Sequence, residues 1–317
     1  MNLAANEPFF APTDKRAVAE RTFRALALAR FARERELLAF AGPLGLDPEL
    51  LDAWVASGLI HRATVRLDAI SGPDEAYLAL TRQGARMLAS ETGHTIEPVS
   101  PSALKRDSQK RAHDVVVGDI ALAVLALERD HGIELMGIET DARKLAVLHT
   151  TAIQERDAER VRLVPDAYVL TKGPRGPVGL LVEVDRGTVS TSRMRKKYQG
   201  YLAWKREGGP LRDLGISAVR ILTTAPASAR MKRLRDSALS ANEERRSGLL
   251  LFTLEEHLSA GHPERMQEPI AVPVGGTDTD RVPIFDPPQG ATSTRVVLPP
   301  PGPNCQVVRP LAVAAPQ

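Results

Sequence analysis

Residues 162–185 read RLVPDAYVLTKGPRGPVGLLVEVD, and no other stretch constrains the fold as tightly. Two apolar runs rich in Val and Leu flank KGPRGP, a turn segment with two glycines and two prolines. Such runs, bounded by Gly and Pro, predict two strands joined as a hairpin. The same runs carry Asp166, Glu183 and Asp185, although carboxylates are depleted in strands and costly to bury. Side chains alternate faces along a strand. Leu181, Glu183 and Asp185 therefore share one face, while Val182, Val184 and Arg186 point the other way. Asp166 shares a face with Val164 and Tyr168, and the expected register sets it across from Glu183 and Asp185.

Acids gathered on one face repel unless a cation sits among them. A hard divalent ion such as Mg²⁺ accepts carboxylate oxygens and completes its shell with water. So held, it can acidify a water and stabilise charge on a phosphoryl oxygen. The alternative is that the acids pair with Lys172, Arg175, Arg186 or a basic helix, since structural ion pairs are common.

The flanking sequence supplies the rest of a domain. AHDVVVGDIALAVLALERDHG predicts a helix over 112–131, and IELMGIET a strand over 133–140. After the hairpin come a basic helix at 190–207, the strand SAVRILTT, a second basic helix at 228–246, the strand GLLLFT and a short helix, LEEHLS. Strand runs mixed with strand–helix alternation argue for an α/β domain with a mixed central sheet.

Upstream, residues 15–33 carry apolar side chains at helical spacing, and ERELLAFAGPLG gives a second helix that stops at Gly42-Pro43. A third helix starts with Asp47 as N-cap and Pro48 at its first position. Two strands around SGPDE follow, and Thr81 caps a closing helix, RQGARMLASE. Three helices and a two-stranded wing are the pattern of a winged helix-turn-helix. The helix that would enter the major groove carries Asp47, Glu49 and Asp52 and no Lys or Arg, the wrong sign for phosphate. DNA contact and protein contact or dimerisation both stay open for this domain.

The expected organisation is a disordered lead at 1–14, the winged helix-turn-helix at 15–93, a Pro/Ser-bearing linker at 94–110, the α/β domain at 111–262 and a disordered Pro-rich tail at 263–317. Eleven of the 24 prolines lie in residues 269–317, a composition with little to bury. A docking role for short apolar pieces of this tail is the alternative.

Net charge is only +3, but its distribution is uneven. Residues 1–100 carry 11 Lys/Arg against 13 Asp/Glu, whereas residues 186–246 carry 15 against 5. Such an excess can form a footprint for polyanions. No apolar run approaches the length of a membrane span, and the N-terminus lacks a basic start followed by an apolar stretch, so neither membrane insertion nor secretion is expected. Cys305 is the only cysteine, which excludes an internal disulfide and a Cys-based zinc site and fits a reducing cytoplasm.

Pro165-Asp166, followed by a strand bearing Glu183-Val184-Asp185, resembles the metal-binding hairpin of the PD-(D/E)xK nuclease superfamily. VPDAYV, LLVEVDRGT and RKKYQGYLAW, in that order, resemble the replication-relaxation family of plasmid and mobile-element proteins. The resemblance spans about residues 15–258 and is most specific at 163–204. It implies a winged helix followed by a PD-(D/E)xK-like domain. It further implies Asp166, Glu183 and Asp185 as ligands of Mg²⁺, with DNA as partner.

One position departs from the superfamily pattern. The motif lysine, two residues after the acid, is replaced by Asp185. Lys196 and Lys197 on the following helix are the candidates to take over its work. Lys197 comes first because it shares a helical face with Tyr201. The expected catalytic set is thus Asp166, Glu183, Asp185 and Lys197. Expected phosphate contacts are Arg193, Arg195, Lys196, Lys197 and Lys205 on the first basic helix and Lys232, Arg233 and Arg235 on the second. His113 could approach the site or serve as a cap or core residue. Tyr201 and Trp204 could stack on bases, but their spacing from Met194 and Tyr198 favours core packing. Three functions remain: a Mg²⁺-dependent DNA-nicking enzyme, a catalytically inactive DNA-binding regulator, and a protein-interaction adaptor that uses the winged helix.

Overall fold

The computed structural model describes residues 13–67, 73–93, 96–105, 108–141, 148–154, 157–173, 175–241, 247–277 and 279–285. The expected lead up to residue 12, the last 32 residues of the expected tail, and Cys305 lie outside the described residues. The chain divides into two units, Met1–Leu122 and Ala123–Gln317.

In the first unit, α1 (Thr13–Ala29) buries Val18, Phe23 and Leu26 at helical spacing. It stops where Arg30 takes a positive φ of 66°. The short β1 (Ala32–Arg33) leads into α2 (Glu34–Ala41) and a 3₁₀ turn, Gly42–Leu44. Asp47 caps α3 (Pro48–Ala56) as expected, its carboxylate accepting the Leu50 N–H at 2.7 Å. β2 (Ile60–Arg66) and β3 (Asp74–Leu80) pair antiparallel from Ile60↔Leu80 to Arg66↔Asp74, and β1 joins the other edge of β3. Thr81 caps α4 (Arg82–Thr92) through the Gly84 N–H. Three helices, a hairpin and a closing helix therefore stand in the expected order.

The expected linker contains a helical turn, α5 (Pro101–Leu104), and α6 (Ser108–His131) follows. Ala103, Ala112 and Val115 join Phe31, Val65 and Tyr77 in one buried cluster, so residues from the linker and the start of α6 complete the core of this unit. Gly118 shows how closely α6 approaches: a Cβ there would lie 1.5 Å from the Phe31 carbonyl oxygen. One residue on, Asp119 accepts the Arg33 backbone N–H at 2.8 Å and the Arg33 Nε at 2.6 Å.

The second unit is built on a six-stranded mixed sheet. Its strands are β4 (Leu135–Glu139), β7 (Ala167–Gly173), β8 (Gly176–Val184), β9 (Ala218–Ala225), β10 (Ser247–Leu254) and β11 (Val272–Val274). A separate two-stranded sheet pairs β5 (Leu148–Gln154) with β6 (Asp157–Leu163), a charged stretch whose weak sequence pattern predicts neither strand. The order across the main sheet is β11-β10-β9-β8-β7-β4. β8, β9 and β10 run parallel, and the other neighbours pair antiparallel. Parallel neighbours need crossovers. Here α7 (Thr191–Arg206) and α8 (Gly209–Leu214) connect β8 to β9, and α9 (Ser228–Ala241) connects β9 to β10. Tyr198, Tyr201 and Trp204 of α7 are fully buried in the core with Leu234 of α9 and Phe252 of β10. They are core residues, as their spacing favoured, and none is open to stack on a base.

The expected tail boundary is corrected. Residues 263–285 are part of the folded unit: β11 lengthens the sheet, Ala271 bridges Val282, and the Ile284 and Phe285 N–H groups both donate to the Met266 carbonyl at 3.0 Å. Met266, Ile270, Val272, Val274, Ile284 and Phe285 are buried. Proline content hid these residues because it disfavours an inner strand, whereas an edge strand tolerates Pro273. Among the described residues no helix is long and apolar enough to cross a membrane.

Candidate functional site

β7 begins and β8 ends at the same end of the sheet. Ala167 pairs with Val182, so Asp166 stands one step before the ladder, beside Glu183. The Asp166 N–H donates to the Val182 carbonyl at 2.9 Å, and its Oδ2 accepts the Val184 N–H at 2.8 Å. A side-chain oxygen thereby continues the strand pairing where the backbone of β7 has ended, which fixes the Asp166 carboxylate against β8.

Glu183 is 3% exposed. Lys197 donates to its Oε2 and the Tyr201 hydroxyl to its Oε1. The two donors lie one turn apart on α7 and so share a face. Lys197 Nζ also reaches the Val164 carbonyl at 3.1 Å. Ser190 starts α7 as its N-cap through the Arg193 N–H, which sets the phase of the helix that presents both donors.

The electrostatics follow from burial. Desolvation pushes the Glu183 carboxyl up to about 7; Lys197 and Tyr201 pull it down and the neighbouring Asp166 charge pushes it further up. Burial alone lowers Lys197, but Glu183 and Asp166 outweigh it and leave the ammonium raised. Burial, with Glu183 beside it, raises Tyr201 well above its ordinary value, so its hydroxyl keeps its proton and acts as a donor.

Asp185, expected as a catalytic residue and metal ligand, stands in an ion pair. It is 2% exposed, and Arg230 of α9 grips both its oxygens through Nε and Nη2 at 2.7 Å each. The Gly187 N–H adds a third bond at 2.8 Å, and Arg230 Nη2 also holds the Val189 carbonyl at 2.5 Å. Strand alternation sets Asp185 on the face of Glu183, but β8 ends at Val184 and a guanidinium 45 residues further on neutralises the acid. The alternative raised from the sequence, ion pairing, applies to this residue. Lys172 pairs instead with Glu134, and Arg186 with Glu255.

Among the described residues no group of three or more His, Cys, Asp or Glu side chains is arranged to hold a metal. The expected three-carboxylate Mg²⁺ site therefore does not fit. A smaller set does: Asp166 and Glu183 are hard oxygen donors close enough for their charges to interact, and Mg²⁺ is often held by one or two carboxylates together with water and substrate phosphate.

The expected phosphate contacts divide. Arg193, Arg195, Lys196 and Lys205 are exposed on α7, and Arg233 is exposed on α9. Lys232 is exposed but bonded to Asp236 at 2.8 Å. Arg235 is half-buried and holds the Gly276 carbonyl at 2.5 Å, which ties α9 to the segment after β11. Lys197, not Lys196, is the lysine beside the carboxylates. His113 lies in the first unit, 3.5 Å from Asp114. In that unit α3 exposes Asp47, Glu49 and Asp52, with Arg62 on Asp52 at 2.7 Å. Sequence reasoning missed Tyr201 and Arg230 as partners of the acids. The spacing of Lys197 and Tyr201 was the signal available for the first, and nothing local signalled the second.

The family model described as replication-relaxation matches residues 49–216, just over half of the chain. None of the curated proteins compared with the chain matches it. Among solved structures, that of restriction endonuclease FokI is 15% identical, covering 81% of this chain and 45% of that one, with a TM-score of 0.26. The same endonuclease bound to DNA is 12% identical, covering 81% and 46%, with a TM-score of 0.27. The chain spans less than half the length of either.

Proposed function

Since the chain belongs to the replication-relaxation family, we propose that it is a DNA-associated protein of a plasmid or mobile element whose second unit engages the phosphodiester backbone and nicks it with Mg²⁺. One observation carries this reading: Lys197 meets Glu183 while Asp166 is fixed on the neighbouring strand, so two acids and a lysine converge at one end of the sheet. An interaction adaptor has no physical use for this set.

Asp166 and Glu183 would hold the metal, which when bound supplies an acidified water and Lewis-acid stabilisation of a phosphoryl oxygen. Lys197 works as a cation. Its raised pKa keeps it an ammonium at neutral pH, so it offsets charge on a phosphate and does not abstract a proton. Arg193, Arg195 and Lys196 extend positive charge along the exposed side of α7 and hold adjacent phosphates. The first unit is proposed as a winged helix. The acid-bearing surface of α3 suits a protein partner or a second copy better than a major groove.

A second reading, a DNA-binding regulator that does not cut, is favoured by Glu183 having each oxygen already held by a donor from α7. Both readings require DNA binding with steep salt dependence. An Arg193→Glu/Lys196→Glu double variant is expected to weaken duplex binding at least tenfold at 100 mM salt and to flatten the salt slope by about two, one for each phosphate no longer neutralised. Binding indifferent to salt and to both substitutions would remove the DNA reading and leave the adaptor.

A further inference from the structure

Glu183 is held from two sides by groups of different character. Oε1 receives the Tyr201 hydroxyl, whose ring is fully buried against Trp204 at a 6.4 Å centroid separation and an interplanar angle of 75°. Oε2 receives Lys197, whose side chain is 26% exposed and also feels the charge of Asp166. Tyr201 is a neutral donor on a rigid ring with no room to leave. Lys197 is a cation on a flexible stem, partly open to solvent. A divalent cation shared by Asp166 and Glu183 repels an ammonium but not a phenol.

We propose that Tyr201 is a positioning residue which keeps Glu183 oriented through Oε1, and that Lys197 is the group that gives way on Oε2 when a divalent cation enters beside Asp166. This rests on the reading that Asp166 and Glu183 hold a metal. The exchange leaves the lysine free of its carboxylate at the moment a phosphate arrives, while the acid stays aimed. A carboxylate ligand normally depends on an outer hydrogen bond of this kind, and its loss costs about 10- to 100-fold in metal affinity. Phe at 201 removes only the hydroxyl and keeps the ring in the core.

The test is a calorimetric titration of the full chain with Mn²⁺, run on the wild type, Tyr201→Phe and Lys197→Met, with duplex-DNA affinity in EDTA and thermal midpoint measured beside it. Tyr201→Phe is expected to bind Mn²⁺ at least tenfold more weakly with unchanged DNA affinity, a split that general loosening of the fold does not produce. Lys197→Met is expected to bind Mn²⁺ as tightly as the wild type or more so, because it removes a competing cation. Equal Mn²⁺ affinity in the wild type and Tyr201→Phe overturns the positioning role while the metal reading stands. Should Tyr201→Phe fail to fold, Lys197→Met decides: weakened Mn²⁺ binding there overturns the exchange. No Mn²⁺ binding by the wild type overturns the metal reading itself, and the exchange with it.

Discussion

Arg230 reaches Asp185 with a two-nitrogen fork, while Lys197 and Tyr201 reach Glu183 with one bond each. Two acids that look equivalent by strand alternation thus have different fates. Arg230 ties α9 to Asp185 at the end of β8 and to the Val189 carbonyl, and the charge of Asp185 is used up inside the fold. Removing one partner of a buried pair leaves an uncompensated charge, which costs about 3–5 kcal/mol. Urea unfolding of Arg230→Met should show a loss of that order, and adding Asp185→Asn should recover part of it, so that the double variant is more stable than the sum of the singles. Additive losses would mean that the pair contributes nothing as a pair. Asp119 offers a pH test in the first unit. Burial raises its carboxyl to about 7, outweighing the Arg33 guanidinium that pulls it down. A folded pKa above the unfolded value means a contribution to stability that is full below about 4 and is lost as pH rises through about 7. Thermal midpoints should therefore show a downward component from pH 4 to 7 that Asp119→Asn removes.

At the level of elements, the sequence disclosed what local rules govern. Hairpin pairing, the caps Asp47 and Thr81 and the core stripe of α7 follow from alternation, capping and helical spacing, and all stand where those rules place them. Two kinds of feature were hidden. One is contact at long range: Arg230 meets Asp185, and Gly118 meets Phe31 only because α6 packs on the strand region of the first unit. The other is structure that composition disguises, as in β11 and the segment after it. Gly118→Ala places a methyl 1.5 Å from a backbone oxygen, so the helix has to shift. Overpacking of this sort costs about 1–3 kcal/mol or more, and a thermal midpoint equal to that of the wild type would show that α6 does not need the close approach. Arg220 holds the Ile284 carbonyl at 2.7 Å, Phe285 is buried, and β11 covers the outer edge of β10. A chain ending at Pro263 should unfold at lower temperature than one ending at Phe285, and should aggregate through the uncovered edge of β10. Equal midpoints would reduce residues 264–285 to an ornament of the fold.

For the whole molecule, charge is divided between the units. Acidic groups are exposed on α3 of the first, and basic groups are exposed on α7 and α9 of the second. Under the proposed function, Asp166, Glu183 and Lys197 act on the phosphodiester backbone. The most direct measurement is conversion of supercoiled plasmid to the nicked form by the full chain, with Mg²⁺ and with EDTA, compared between the wild type and Glu183→Gln at matched DNA occupancy. Nicking by the wild type that needs Mg²⁺ and falls at least a hundredfold in Glu183→Gln is the predicted result, since a metal ligand and the partner of Lys197 are lost together. Full occupancy of the plasmid with no nicking, or nicking that Glu183→Gln leaves intact, contradicts the claim.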